Sequence, residues 1–467
     1  MIDLSHNLLQ GRIPRSLANC TMLEFLDLGN NQIADLFPSW LGTLPELKVL
    51  MLQSNRFHGE IGEPDTGFVF PKLRIIDLSH NRFSGKLPSK YFQCWNAIKV
   101  ANKSQLKYMQ DQPGQSLNYI LPSSSAYTFG YSLQYIYAYS ITMVNKGIEM
   151  NYGKVSNFLT SIILSNNKLI GKIPTSISEL KGLNCLNLSG NNLLGHIPSS
   201  LGNLTVLESL DLSNNNLSGE IPRQLAELTS LAVFDVSDNN LTGQIPQGKQ
   251  FNTFENSSFE GNPGLCGKPL SRNCEISESS QKEDQDSESP FEFGWKTFTT
   301  RINACSCLCG SINAGSSLFN HVHLEWLSLS DNDFYLSKIP SGILNLSRLS
   351  HLNPSSSSFS GQISSEIVEL SKFVSLDLSG NLFLKLQKTS LQNLAEDLTN
   401  LELFNLNEVN ISSCIPHSSA NLSSLTYFSL EACRSLGEVP VTIFQIPNVY
   451  FLNVRFNLKL AGCFTRI

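Results

Sequence analysis

An asparagine returns every 24 residues, and that spacing restricts the chain to architectures built by stacking. Asn7, Asn31 and Asn55 are 24 apart, as are Asn167, Asn191, Asn215 and Asn239. Each closes the same phrase: LEFLDLGNN at 23–31, LNCLNLSGN at 183–191, LESLDLSNN at 207–215. The shared template is LxxLxLxxNxLxGxIP. Its LxL core predicts a short strand whose leucines point inward while the residue between them points out. One such unit cannot bury its apolar face alone, so neighbours stack and share a continuous core. Each buried Leu then contributes roughly 1.5–3 kcal/mol. The Asn is expected to turn inward and hydrogen-bond the backbone of the adjacent turn. The Gly and Pro of GxIP punctuate the far side and prevent a long helix.

A period of roughly 20–29 residues with this pattern is a leucine-rich repeat. The predicted fold is therefore an α/β solenoid with short parallel strands on its concave face and 3-10 or irregular segments on its convex side. Repeats occupy 1–89 and 158–246. The gap from Asn81 to Asn167 is 86 residues, and subtracting one period of 24 leaves 62 extra. These belong to an island at 90–157, read as folded because its alternating aromatics suggest strands. Residues 247–274 form a C-terminal cap, and 275–317 an acidic, disordered spacer and junction. In EISESSQKEDQDSESPFE seven acids face one Lys. A second, degenerate repeat block runs over 318–467, with ladder positions at Asn332, Ser357, Asn381, Val409, Cys433 and Asn457. Pro354 replaces an inward Leu there and removes a strand donor, so this block is expected to be looser. Met1 falls inside a repeat. The first block is therefore expected to begin with an open end, its upstream residues missing, and no cap is expected after Asn457.

The net charge of −6 shows no basic stripe along the chain, which argues against nucleic acid as a partner. Ten Asn-x-Ser/Thr acceptors fit a secreted glycoprotein: Asn19, Asn102, Asn187, Asn203, Asn216, Asn240, Asn256, Asn345, Asn410 and Asn421. Some arise by accident in an Asn- and Ser-rich repeat. No signal peptide opens the chain, and no apolar run reaches the roughly 18 residues a membrane span needs. Cys266 and Cys274 are read as a short disulfide loop sealing the last repeat, the alternative being two unrelated thiols. Cys305, Cys307 and Cys309, followed by His321 and His323, do not have standard zinc spacing, so no metal is expected. No cofactor motif, P-loop, kinase phrase or catalytic arrangement is present, and the chain is not expected to be an enzyme.

The outward residues of successive LxL cores are Asp3, Asp27, Met51, Asp77, Ile163, Asn187, Asp211 and Asp235. This acidic run either meets a basic peptide or partner or merely keeps the face soluble. Ile163 breaks the polar pattern beside the island, and either packs under it or makes an exposed contact. The candidate ligand- or partner-binding residues are Asp77, Ile163, Asn187, Asp211 and Asp235. In the island, Tyr127, Phe129, Tyr131, Tyr135, Tyr137 and Tyr139 form an aromatic run. It serves either as the island's own core or, through one or more members, as an interface. Tyr131, Tyr135, Tyr137 and Lys146 are the island candidates.

The stretch KGIEMNYGKVSNFLTSIILSNNKLIGKIP, the run QGKQFNTF and the cap NPGLCGKPL resemble the extracellular region of plant leucine-rich-repeat receptor-like proteins, which are kinase-less cell-surface receptors. The resemblance covers about residues 1–296. In block two, NACSCLCGSINAGSSLFNHVHLEWLSLSDNDF resembles the first repeats of such a receptor. The chain thus reads as a truncated receptor fused to the N-terminal repeats of a second one. FEFGWK at 291–296 precedes an apolar span in that family, whereas TFTTRINA follows it here. The resemblance implies an ectodomain at the extracellular face of the plasma membrane, acting in defence or development. Its ligand would be an extracellular peptide, protein or glycan, and its partners adaptor and co-receptor leucine-rich-repeat kinases. It also implies that the island and last four repeats meet the co-receptor. The alternatives are a secreted inhibitor or decoy, and a fusion product without function.

Overall fold

The computed structural model describes residues 1–64, 69–100, 109, 141–145, 148–152, 155, 156, 158–274, 324–364, 367, 370 and 372–463. It divides into two compact units. One comprises Met1–Arg272 with Tyr450–Ile467, and the other Asn273–Val449.

In the first unit the strands Ile2–Asp3, Phe25–Asp27, Val49–Met51, Ile75–Asp77, Ser161–Ile163, Cys185–Asn187, Ser209–Asp211 and Val233–Asp235 form one parallel sheet in chain order. The register repeats at every step: Ile2, Leu26, Leu50, Ile76, Ile162, Leu186, Leu210 and Phe234 pair in one inward column. All but Ile2 are at most 1% exposed. Ser161–Ile163 pairs with Ile75–Asp77 as any neighbouring repeats do, so the island leaves the solenoid and returns without breaking it.

The asparagine ladder explains the invariance of the phrase. Asn31 Nδ2 donates to the carbonyls of Leu28 (3.1 Å), Gly29 (3.0 Å) and, one repeat earlier, Leu4 (3.0 Å). Its Oδ1 accepts from Leu9 N at 3.0 Å. Asn191, Asn215 and Asn239 repeat these bonds. Every repeat therefore satisfies buried backbone groups of the one before it. Asn167 does the same across the insertion, donating to Leu78 O at 3.0 Å. After the ladder Asn comes a second short strand, as at Lys168–Gly171 and Asn192–Gly195, and these pair in parallel along the solenoid's flank. The template predicts no strand there. Five-residue 3-10 turns such as Ser199–Asn203 follow each IP, as expected for the convex side.

Two boundaries differ from expectation. Helices Ser89–Cys94 and Asn96–Lys99 straddle residue 90, and they bury Tyr91, Phe92, Trp95 and Ile98. Ile98 O accepts from Gly182 N at 2.7 Å, so these helices do the work of a convex turn and belong to the solenoid. In the cap, Asn262 acts as a further ladder residue. Its Nδ2 donates to Val236 O (2.8 Å) and its Oδ1 accepts from Leu241 N (3.0 Å). Phe251, Phe254 and Phe259 close around Phe234 there, and Gly264–Cys266 extends the flank sheet. Cys266 and Cys274 are each disulfide-bonded.

The start of the first block is not open. Strand Phe451–Asn453 pairs with Ile2–Asp3, matching Leu452 to Ile2 and Asn453 to Asp3. Asn7 Nδ2 donates to Val454 O at 3.1 Å, and Asn457 N donates to Asn7 Oδ1 at 3.1 Å. Lys459–Cys463 pairs with Leu8–Gly11 on the flank. The segment 450–463 thus occupies the place of a preceding repeat, because Asn457 carries the ladder chemistry that the Met1 repeat requires.

The second unit stacks strands Trp326–Ser328, His351–Asn353, Ser375–Asp377, Leu403–Asn405 and Tyr427–Ser429 in parallel. Pro354 is buried in the inward position, and its carbonyl accepts from Asn381 Nδ2 at 2.8 Å. The strand before it pairs with Ser375–Asp377 at two residues, where the Ser375–Asp377 to Leu403–Asn405 step has three. At Cys433 the thiol donates to Leu406 O at 2.9 Å, a carbonyl equivalent to the one an Asn would reach. The Ser357 hydroxyl does the same for Leu329 O.

Candidate ligand-binding face

The concave face is half roofed. An antiparallel hairpin, Ile141–Asn145 with Ile148–Tyr152, lays Ile141 and Met143 on it. Met109 and Val155 join the hairpin, with Met109 N donating to Val155 O at 2.6 Å. Beneath them lie Phe25, Val49, Met51, Ile75 and Ile163, and all nine side chains are at most 2% exposed. The island therefore has a second apolar core, built between its own alternating strand and outward positions of the sheet. Ile163 packs under the island. Met51 does so too, and it is the other break in the polar pattern.

Burial corrects the sequence reading of the Asp column. Asp3, Asp27, Met51, Asp77 and Asn187 are outward in the sequence reading, and Ile163 is either packed under the island or exposed. All six are buried. The acids survive burial because the DLS spacing supplies donors two residues on. Asp77 Oδ1 accepts from Ser79 N (2.9 Å) and Ser79 Oγ (2.6 Å), and Asp3 Oδ1 likewise from Ser5 (3.0 and 2.7 Å). The Asp of DLS thus tethers the turn that carries the ladder Asn. Its recurrence with Ser at i+2 is the signal that could have identified this role. Burial pushes the Asp77 carboxyl up to about 6, against the pull of Ser79. Asp27 is also raised well above the ordinary carboxylate range, first by burial and then by Asp3 in the neighbouring strand. Arg455 Nη1 lies 3.6 Å from Asp3 Oδ2.

Beyond Asn187 the face opens. Asp211 and Asp235 are adjacent in register and half-buried, each held by the serine two residues on: Ser213 N and Oγ at 3.1 and 2.7 Å, Ser237 N and Oγ at 2.9 and 2.7 Å. Burial raises the Asp235 carboxyl, with Ser237 opposing. Asp238 stands exposed at the rim of the same repeat. These carboxylates are fixed in direction and can accept a charge-assisted bond from a cation laid along the face. Tyr131, Tyr135, Tyr137 and Lys146 lie outside the described residues, as do Tyr127, Phe129, Tyr139, Asn102 and the Cys305–Cys309 run.

The glycan acceptors separate by burial. Asn19, Asn203, Asn216, Asn240, Asn256, Asn345 and Asn421 are exposed, and Asn410 is half-buried. Asn187 is buried, with Oδ1 accepting from Ser189 N (3.0 Å) and Oγ (2.7 Å), so it is an accident of the repeat. Cys20, Cys94, Cys185, Cys414 and Cys433 are free thiols. Among the described residues no cluster has metal-ligand geometry, and no helix is long and apolar enough to cross a membrane.

A family model described as leucine rich repeat matches residues 23–83, and a second of that description matches 323–346. The repeat model of leucine-rich repeat and WD repeat-containing protein 1 matches 169–280. Receptor like protein 26 of Arabidopsis thaliana is 60% identical over 258 residues, which is 55% of this chain and 30% of that protein. Receptor like protein 22 of the same plant is 49% identical over 285 residues, 60% of this chain and 34% of that protein. The chain spans about a third of the length of these curated relatives. Among solved structures, a TDR receptor is 21% identical over 97% of this chain and 63% of its own, with a TM-score of 0.40.

Proposed function

We propose that this leucine-rich-repeat protein, a relative of the plant receptor-like proteins, carries the ligand-reading portion of a cell-surface receptor. Its ligand is an extracellular peptide or protein segment with basic side chains, laid along the concave face between the hairpin and the cap. The chain contributes recognition rather than catalysis, and signal passes to adaptor and co-receptor leucine-rich-repeat kinases at the plasma membrane. One observation carries this reading. The apolar roof ends at Ile163, and the next polar positions with any exposure, Asp211 and Asp235, are oriented acids in adjacent strands. The hairpin forms one wall of that stretch and the cap the other end.

Panning a displayed peptide library against the full chain tests it. Selected peptides should be enriched in Lys and Arg, and should lose at least about tenfold in affinity to an Asp211→Lys/Asp235→Lys variant. Peptides that bind the variant equally well would place recognition elsewhere.

A further inference from the structure

The flank sheet carries a cluster of cations that the linear sequence hides. In each flank strand alternate residues face solvent. Across three consecutive repeats these outward positions are Arg56 and His58, then Arg82, Ser84 and Lys86, then Lys168, Ile170 and Lys172. The strands are in register: His58 pairs with Arg82, Ser84 with Lys168, and Lys86 with Ile170. Lys168 therefore stands between Arg82 and Lys86, and Lys86 between Lys168 and Lys172. A Cβ at Gly171 would meet Lys86 Cγ at 3.3 Å, and one at Gly195 would meet Lys172 Cγ at 3.2 Å. The glycines let these lysine stems lie along the sheet with their heads outward. The members are invisible along the chain because Arg82 and Lys168 are 86 residues apart.

Five cations share this surface with one acid, Glu60, which pairs with Ser84. Four lysines elsewhere in the unit are neutralised: Lys48 by Glu24, Lys72 by Glu46, Lys90 by Glu63 and Lys99 by Glu179. Among the described residues no ion pair involves Arg56, Arg82, Lys86, Lys168 or Lys172. Like charges side by side on a sheet are unfavourable, so in a chain of net charge −6 the cluster is unexplained by folding. The glycan acceptors Asn216 and Asn240 occupy corresponding positions two and three repeats beyond Lys168, and none falls on the cluster itself.

We infer that this flank face binds a linear acidic polysaccharide carrying one carboxylate per sugar. The ligand class follows from what the surface lacks as well as what it has. Arg82–Lys86 and Lys168–Gly171 are paired on both sides, and His58–Glu60, the last strand of the flank sheet, has Arg56 N and His58 N donating to Ile33 O (2.9 Å) and Asp35 O (3.0 Å) on its other side, so an acidic peptide finds no open donor edge for its main chain. The exposed apolar side chains beside the cations are Leu36, Ile170 and Leu194, which are aliphatic. Among the described residues of the patch the His58 imidazole is the one aromatic ring, which is a poor platform for successive bases, whereas the aliphatic side chains offer contact to the C–H face of a pyranose ring. Neighbouring strands advance by about 4.8 Å, close to the length of one sugar unit, so successive carboxylates meet successive strands. The site is separate from the concave face, and its success or failure is independent of the receptor reading.

The test is titration calorimetry of the full chain with an oligogalacturonate of defined length, at low and moderate salt. Saturable binding is expected, weakening as salt rises. Arg82→Glu/Lys168→Glu should lose at least about tenfold in affinity. Lys181→Glu/Arg223→Glu, which makes the same change of charge on exposed convex turns, should bind as the parent does. Matched circular dichroism and melting would show that both variants fold. The inference is overturned by absent binding or by equal loss in both variants. It is also overturned if the methyl-esterified oligosaccharide, polyglutamate or oligodeoxyadenylate binds as tightly as the free uronate.

Discussion

Ile163→Ala separates a roofed concave face from an open one. Ile163 is fully buried and shares one apolar cluster with Phe25, Val49, Met51 and Ile75 of the sheet and Met109, Ile141, Met143 and Val155 of the island. Truncating a buried Ile costs about 2–5 kcal/mol, because lost transfer energy and a cavity add. At an exposed concave position the change would stay within about 0.5 kcal/mol. Half of the other side chains in this apolar cluster belong to the island. On that share, about 1–2.5 kcal/mol of the hairpin's docking energy should disappear. Stacked repeats do not unfold as one unit, so a single global stability is the wrong readout. Amide hydrogen exchange in 141–145 and 148–152 is the right one, since it reports local opening. Exchange there should accelerate about 5- to 60-fold, at tenfold per 1.4 kcal/mol. Leu210→Ala removes an equally buried core residue from a repeat beyond the roof and should leave hairpin exchange unchanged. Unaltered hairpin exchange in Ile163→Ala would refute the roof.

Two further changes probe the buried acids and the covered end. Asp77 has a folded-state carboxyl raised from 3.8 to about 6 by burial, so the folded chain keeps a proton that the unfolded chain has lost. Stability from this group is therefore full below about pH 4, falls as pH rises towards 6, and is flat above; the drop is roughly 3 kcal/mol. Asp77→Asn should remove that slope and stabilise this repeat at neutral pH, as read by amide-exchange protection of 75–77 and its neighbouring strands, corrected for intrinsic exchange, across pH 4–7.5, and an unchanged slope would count against a buried, neutralised Asp77. Removing residues 450–467 should expose Ile2 and Leu4 and leave Asn7 without Val454 O. Increased binding of an apolar dye and new protease cuts within the first repeat are expected, and a deletion that changes neither would show that the segment does not cover that end.

The solenoid was legible because its determinants are local and periodic. The inward Leu, the ladder Asn and the IP before each 3-10 turn all recur at fixed offsets, so the in-phase Asn positions predict the strand register directly. The flank strands were missed because their pairing depends on the neighbouring repeat rather than on any apolar alternation of their own. The Asp column was misread for a similar reason. An outward LxL position is exposed only if nothing lies over it, and Met51 and Ile163 were the two residues that recorded the roof. Phe25, Val49 and Ile75, two residues before the outward positions, completed the signal, but they sit where the template carries no rule. The basic flank cluster could be found only after the 24-residue units, and the island between two of them, had been placed side by side.

The degenerate positions of the second block show which property of the ladder is required. Ser357 and Cys433 have neither the length nor the amide of Asn, yet each sends a donor to the carbonyl that the Asn would have reached. What the ladder needs there is a hydrogen for a buried carbonyl, because an unpaired one costs about 1–3 kcal/mol. Val409 supplies none from its side chain, and its repeat uses Val409 N to Leu406 O at 2.9 Å within the turn instead. The same logic applies where the chain begins. Asn7 Nδ2 donates to Leu4 O and Ser5 O in its own repeat and to Val454 O in the one placed ahead of it, and Asn457 N donates to Asn7 Oδ1. The two ends are complementary because both are spelled in the same ladder chemistry, so a repeat late in the sequence can stand ahead of the first one in space.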